Sequence, residues 1–84
     1  MKKWKSYTLD GFTGHILRVG AFTLEVYARI GTDPTAKAWE CSYKLADNEP
    51  MWTYSGEPLT LVQAQARVIR EVKRWLSRQQ EALL

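Results

Sequence analysis

Phe22 to Ile30 alternate without a break. Phe22, Leu24, Val26, Ala28 and Ile30 are separated by Thr23, Glu25, Tyr27 and Arg29. Successive strand side chains point to opposite faces, so such a run fits a strand with one buried and one wet face. Gly31-Thr32-Asp33-Pro34-Thr35 follows, a cluster suited to reversing the chain. Ala36 to Ala46 then repeats the alternation, with Trp39, Cys41, Tyr43 and Leu45 on one side and Ala38, Glu40, Ser42 and Lys44 on the other. Two such runs joined by a short turn form an antiparallel hairpin. Its wet face sets Glu25 and Arg29 against Glu40 and Lys44, mixed signs that suit cross-strand ion pairs.

Weaker strand patterns flank this hairpin. Trp4 to Leu9 is strand-like, Asp10-Gly11 is a hairpin turn signal, and Gly14-His15 leads into a strand over Ile16 to Val19. Gly20-Ala21 links that strand tightly to Phe22. Asp47-Asn48-Glu49-Pro50 reads as a turn, Met51 to Tyr54 as a short strand, and Ser55-Gly56-Glu57-Pro58 as its end. Pro34, Pro50 and Pro58 all fall in turns, where a missing N–H does no harm.

No Gly or Pro interrupts residues 59–84. Thr60 and Gln63 have the spacing of a capping box, with Leu59 and Ala64 at the positions of a hydrophobic staple. At about 100° per residue, Leu61, Val62, Ala64, Val68, Ile69, Val72, Trp75 and Leu76 fall within an arc of roughly 160°. These patterns predict an α+β fold: an antiparallel sheet of four to five strands with one long C-terminal amphipathic helix packed on one face. Residues 1–84 form a single domain, with strands over about 4–54 and the helix over about 60–80. The other sheet face, bearing Thr23, Glu25, Tyr27, Arg29, Ala38, Glu40, Ser42 and Lys44, is expected to stay open.

Composition narrows the chemistry. The 84 residues are 45 % apolar and 25 % charged, a globular rather than a disordered profile. Cys41 is alone, which rules out an internal disulfide and a cysteine-based metal site. Met1-Lys2-Lys3-Trp4-Lys5 leads into no apolar segment, so neither a signal peptide nor a membrane span is expected, and a reducing cytoplasmic setting is. His15, the single histidine, has no cluster of Cys, Asp or Glu near it in sequence and reads as a loop or strand-end residue. No spacing of carboxylates, nucleophile and base, or glycines points to catalysis or phosphate cradling, so an enzyme is not expected, nor is a cofactor.

Two surfaces remain as candidates. Tyr27, an aromatic between Glu25 and Arg29 on the wet side of the best strand, marks a protein interface, to which Trp52 and Tyr54 on a short edge strand are added. The second is basic. Residues 60–84 hold five cations against two Glu, which accounts for the whole net charge of +3. Arg67, Arg70, Lys73, Arg74 and Arg78 fall in an arc of about 140° opposite the apolar stripe, and Lys2, Lys3 and Lys5 form another basic cluster. Together these would suit nucleic-acid phosphates. The bland alternative is a solvated face whose cations favour the helix C-terminus and pair with Glu71.

From residue 36 to 80 the chain runs strand, turn, short strand, then Pro58-Leu59-Thr60-Leu61-Val62-Gln63-Ala64-Gln65-Ala66 into a basic helix. This layout resembles the three-stranded arm-binding domain of phage-type integrases, which implies a sheet face turned to DNA. It also resembles the double-stranded RNA-binding domain, which implies RNA contact through the last helix. As a whole, the strand-rich plan with one terminal helix is similar to small phage or prophage accessory proteins, which implies action by occupying a partner's surface. The leading expectation is a non-enzymatic binding protein with a protein partner or a second copy of itself. Nucleic-acid binding through the basic helix face is the alternative.

Overall fold

In a computed structural model of the chain, residues 3–46 and 48–83 are described. Lys2 of the N-terminal basic cluster and Asp47 of the second turn lie outside them. Among the described residues, five strands, β1 (Lys5–Leu9), β2 (Phe12–Val19), β3 (Phe22–Arg29), β4 (Glu40–Leu45) and β5 (Trp52–Thr53), precede one helix, α1 (Leu61–Leu83). The strands form one antiparallel sheet in the order β1-β2-β3-β4-β5, each paired with its neighbour in sequence. The fold is α+β, as the patterning predicts.

Turn chemistry fixes the register. Asp10 and Gly11 join Leu9 to its partner Phe12 with φ of 51° and 83°, and positive φ at both loop positions matches strand twist in a two-residue hairpin. Gly20, at φ 60°, starts the equally short loop between Val19 and its partner Phe22. With both loops two residues long, face alternation carries unbroken from β1 to β3.

Phe22, Leu24, Val26 and Ala28 of β3, Cys41 and Tyr43 of β4 and Leu17 of β2 are buried on the face that meets α1. Ala64, Val68 and Val72 come down from the helix to meet them. Trp39 completes this core just ahead of β4, with its indole N–H donating to the Asp33 carbonyl at 3.1 Å. Thr60 and Gln63 bond each other's backbone N–H groups at 3.3 and 3.1 Å, which closes the capping box that starts α1.

Three expectations are corrected. First, β4 begins at Glu40, not Ala36. Asp33 accepts bonds from the Thr35 amide and hydroxyl, and the Trp39 backbone pairs with Leu59, so Ala38 lies in a loop and not on the open sheet face. Ile30, expected on the core face of β3, lies beyond the end of that strand and is exposed.

Second, β2 starts at Phe12, which places His15 in mid-strand between Ser6 and Val26. Gly14 is not a turn residue. A Cβ there would come within 2.6 Å of the Tyr7 ring and the Val26 carbonyl, so glycine makes room for a tyrosine lying across the strand.

Third, α1 is rolled relative to its predicted stripe. Glu71 is buried, while Val62 and Leu76 are exposed. Glu71 accepts bonds from Arg67 at 3.1 Å and Arg74 at 3.2 Å, which pairs its charge. The Arg67 guanidinium sits 5.8 Å from the Trp52 ring and 5.3 Å from the Tyr54 ring. Those cation–π contacts turn the Arg67 side of the helix toward the sheet edge and lift the Val62 side away.

Candidate protein interface on the open sheet face

The register lays four rows of side chains across the face away from α1, the fourth and outermost being Arg18, Thr23 and Lys44. Leu9, Phe12 and Arg29 form the first, and Tyr7, Gly14, Tyr27 and Glu40 the second. Lys5, Ile16, Glu25, Ser42 and Thr53 form the third. Phe12 meets Tyr27 edge-on, with ring centroids 6.4 Å apart and planes at 80°, a favoured aromatic geometry. The Tyr7 ring crosses Gly14, and its hydroxyl donates to the Glu25 carboxylate. These groups surround a shallow depression of about 450 Å³ that reaches Thr53 and Pro50 at the far edge.

Its electrostatics favour a neutral aromatic floor. Burial, and then the Glu25 carboxylate, push the Tyr7 phenol well above its ordinary pKa. Burial, and then Glu40 and Glu25, raise that of Tyr27 as well. Both hydroxyls therefore stay protonated at neutral pH, and Tyr7 keeps a proton to give Glu25. Phe12 and Leu9 stand 40 % and 64 % exposed beside this polar pair. Large apolar side chains around satisfied polar groups are the make-up of a contact surface.

The residues singled out in the sequence divide between the two sides of the sheet. Glu25, Tyr27 and Arg29 share the open face. Trp52 and Tyr54 do not join them. Trp52 stacks on Tyr43 at 5.8 Å, Tyr54 donates its hydroxyl to the Glu57 carbonyl, and both rings lie under Arg67. The basic residues divide too. Arg70, Lys73, Arg74 and Arg78 are exposed on α1, whereas Arg67 is folded back on the sheet edge. Lys5 belongs to the open face on the opposite side, and with Lys3 and Arg18 it borders a separate depression of about 380 Å³.

Tyr7, Leu9, Phe12 and Ile16 were not singled out in the sequence. Their signal was present: two-residue loops at Asp10-Gly11 and Gly20-Ala21 carry the face parity back from Phe22.

Cys41 and His15 are both engaged in the packed sheet. Burial pushes the Cys41 thiol up to about 11, which leaves it protonated at neutral pH. The His15 ring stacks on Trp39 at 5.9 Å, with its Nδ1 3.0 Å from the Ser6 hydroxyl. A serine–histidine pair needs an orienting group and oxyanion donors, and no carboxylate is bonded to that ring among the described residues. Nor, among those residues, does any group of three or more His, Cys, Asp or Glu come together as a metal site. Among the described residues, no helix is long and apolar enough to cross a membrane.

No family model, curated protein or solved structure matches this chain.

Proposed function

We propose that this protein is a non-catalytic binding protein of the cytoplasm that docks the open face of its sheet on another protein and acts by occupying that surface. The observation behind this reading is the uncovered cluster of Leu9, Phe12 and Tyr27 around the Tyr7–Glu25 pair. Phe12 and Leu9 offer area for burial at low entropic cost, and the phenols offer hydrogen bonds at the rim of that area. The surrounding charges, Lys5, Arg29, Glu25 and Glu40, have mixed signs, which suits a protein surface better than a polyanion.

A photo-crosslinking amino acid at position 12 tests this in cells. The expected result is one discrete crosslinked protein, absent when the probe stands at Asp33 and lost when Tyr27→Glu is added. Crosslinks to nucleic acid alone, or to nothing while the chain is folded, would overturn it. Crosslinks only to a second copy would replace the heterologous partner with a homodimer.

A further inference from the structure

A second apolar line on α1 is only partly used by the core: Ile69 packs against its edge, while Val62 and Leu76 are exposed. Val62, Ile69 and Leu76 recur every seventh residue, and Ala66 and Lys73 stand four residues after the first two. The spacing 62-66-69-73-76 alternates four and three, the repeat of a coiled-coil seam. At about 100° per residue, this line lies roughly 100° around the helix from Val68 at the centre of the buried face. Val62 is 72 % exposed and Leu76 44 %, with Ile69 half-buried between them. A single exposed valine or leucine is ordinary. Three on one heptad line, spanning about 21 Å of helix, form a stripe that another helix can fill.

The charges beside the stripe have one sign. From Leu61 to Gln80 the only carboxylate is Glu71, buried and bonded by Arg67 and Arg74. Lys73 lies on the seam itself, and Arg70 is exposed one residue beyond Ile69. A lysine at a seam position favours a partner that places a carboxylate against it.

We propose that this stripe is a docking seam for an amphipathic helix of a different protein, one that sets Asp or Glu opposite Lys73 and Arg70. A second copy fits poorly, because neither α1 would supply an exposed carboxylate between Leu61 and Gln80 to meet those cations. A phosphate backbone would satisfy the cations and leave Val62 and Leu76 exposed. The seam is independent of the open sheet face, so either surface can fail without the other.

The test is selection from a displayed library of helical peptides with apolar residues at four-three spacing and randomised flanks, using the full chain as bait. Selected peptides should carry Asp or Glu at the flanks. Leu76→Glu should weaken them by about tenfold or more, and Tyr27→Ala should leave them unchanged. Arg70→Glu combined with Lys73→Glu should turn the selection toward Lys- and Arg-bearing peptides, a reversal that mere loss of structure cannot produce. All three helix positions are exposed, and circular dichroism checks that each variant folds.

Peptides without charge preference, or indifferent to Leu76→Glu, would overturn the seam. So would binding of labelled duplex DNA or RNA, or of phosphatidylserine vesicles, that needs Arg70 and Lys73 but not Leu76. A dimer in sedimentation that is lost in Leu76→Glu would also overturn it, in favour of self-pairing.

Discussion

β3 and β4 bury Phe22, Leu24, Val26, Ala28, Cys41 and Tyr43 beneath α1, whereas β1 has no buried residue and β2 only Gly14 and Leu17. Among the described residues, the helix packs on β3 and β4 and on neither of the first two strands. The covered half is held by apolar burial. The β1–β2 hairpin is held by its ladder, by Tyr7 lying over Gly14 and bonded to Glu25, and by Trp4 packed against the edge of the core. Segments with few buried apolar contacts open at lower free energy than the core they adjoin. Leu9, Phe12 and Tyr7 sit on the loosely held half and Tyr27 and Glu25 on the rigid half, so the candidate interface joins an adaptable lip to a fixed floor.

Trp39 is where this division should break. It is buried against the covered half, yet it stacks on His15 of β2, and its backbone pairs with Leu59 just ahead of the helix. Trp39→Ala should cost about 3–5 kcal/mol, the range for emptying a large aromatic site in a core. Urea denaturation read by tryptophan fluorescence and by circular dichroism should show both halves melting together. A loss under 1 kcal/mol would mean the loop alone holds the halves together.

Between about pH 8.5 and 10, below the range where the raised Tyr7 and Tyr27 phenols come into play, alkaline pH probes the covered half. Cys41 is fully buried, and its thiol is raised from 9.0 to about 11 by that burial. A raised value means the folded state keeps a proton that the unfolded chain gives up. The resulting stability is complete below pH 9 and is lost as pH climbs toward 11. Burial raises the Tyr43 phenol in the same direction. The urea midpoint should therefore hold steady from neutrality to about pH 8.5 and fall above it. Cys41→Ala should make that fall shallower, and an unchanged slope would clear the thiol of any part in it.

Gly14→Ala strikes the hairpin. The added Cβ would meet the Tyr7 ring and the Val26 carbonyl at 2.6 Å, and a carbonyl within a ladder cannot swing aside. Overpacking of this kind costs about 1–3 kcal/mol. Hydrogen exchange should show faster opening of the β1 amides and a smaller change in β3. Equal loss in both strands would show that the halves open as one unit.

The legibility of these elements follows the same division. β3 and α1 could be read because each buries a face against the other, and burial imprints a period on the sequence. The extent of β2 could not, because Gly14 looks like a turn residue until Tyr7 is seen lying across it, a contact between residues seven apart in sequence. The roll of α1 was hidden for a similar reason. The helix period treats Arg67 as solvent-facing, and only the packed structure supplies the Trp52 and Tyr54 rings that draw it inward. Half of the candidate interface, Glu25, Tyr27 and Arg29, was legible from β3 alone. The other half needed parity carried through two hairpin loops, one of them leading into a strand read as four residues too short.

The smallest expected effect separates the halves most cleanly. Thr60→Ala removes one arm of the capping box and leaves the Gln63 amide without its acceptor at the start of α1. The cost should be about 1 kcal/mol, the usual value for an N-cap threonine or serine. Among the described residues, helix α1 packs on β3 and β4, reaches Trp52 of β5 through Arg67, and contacts neither β1 nor β2, so the loss should register in the amides that exchange through global unfolding, those of β3, β4 and the middle of α1. The β1 amides, which open locally without the helix, should keep their wild-type rates. Native-state hydrogen exchange of Thr60→Ala reads both at once. If β1 accelerates in step with β3, the first hairpin is coupled to the helix through Trp39 and His15, and the adaptable lip of the open face is part of the rigid floor.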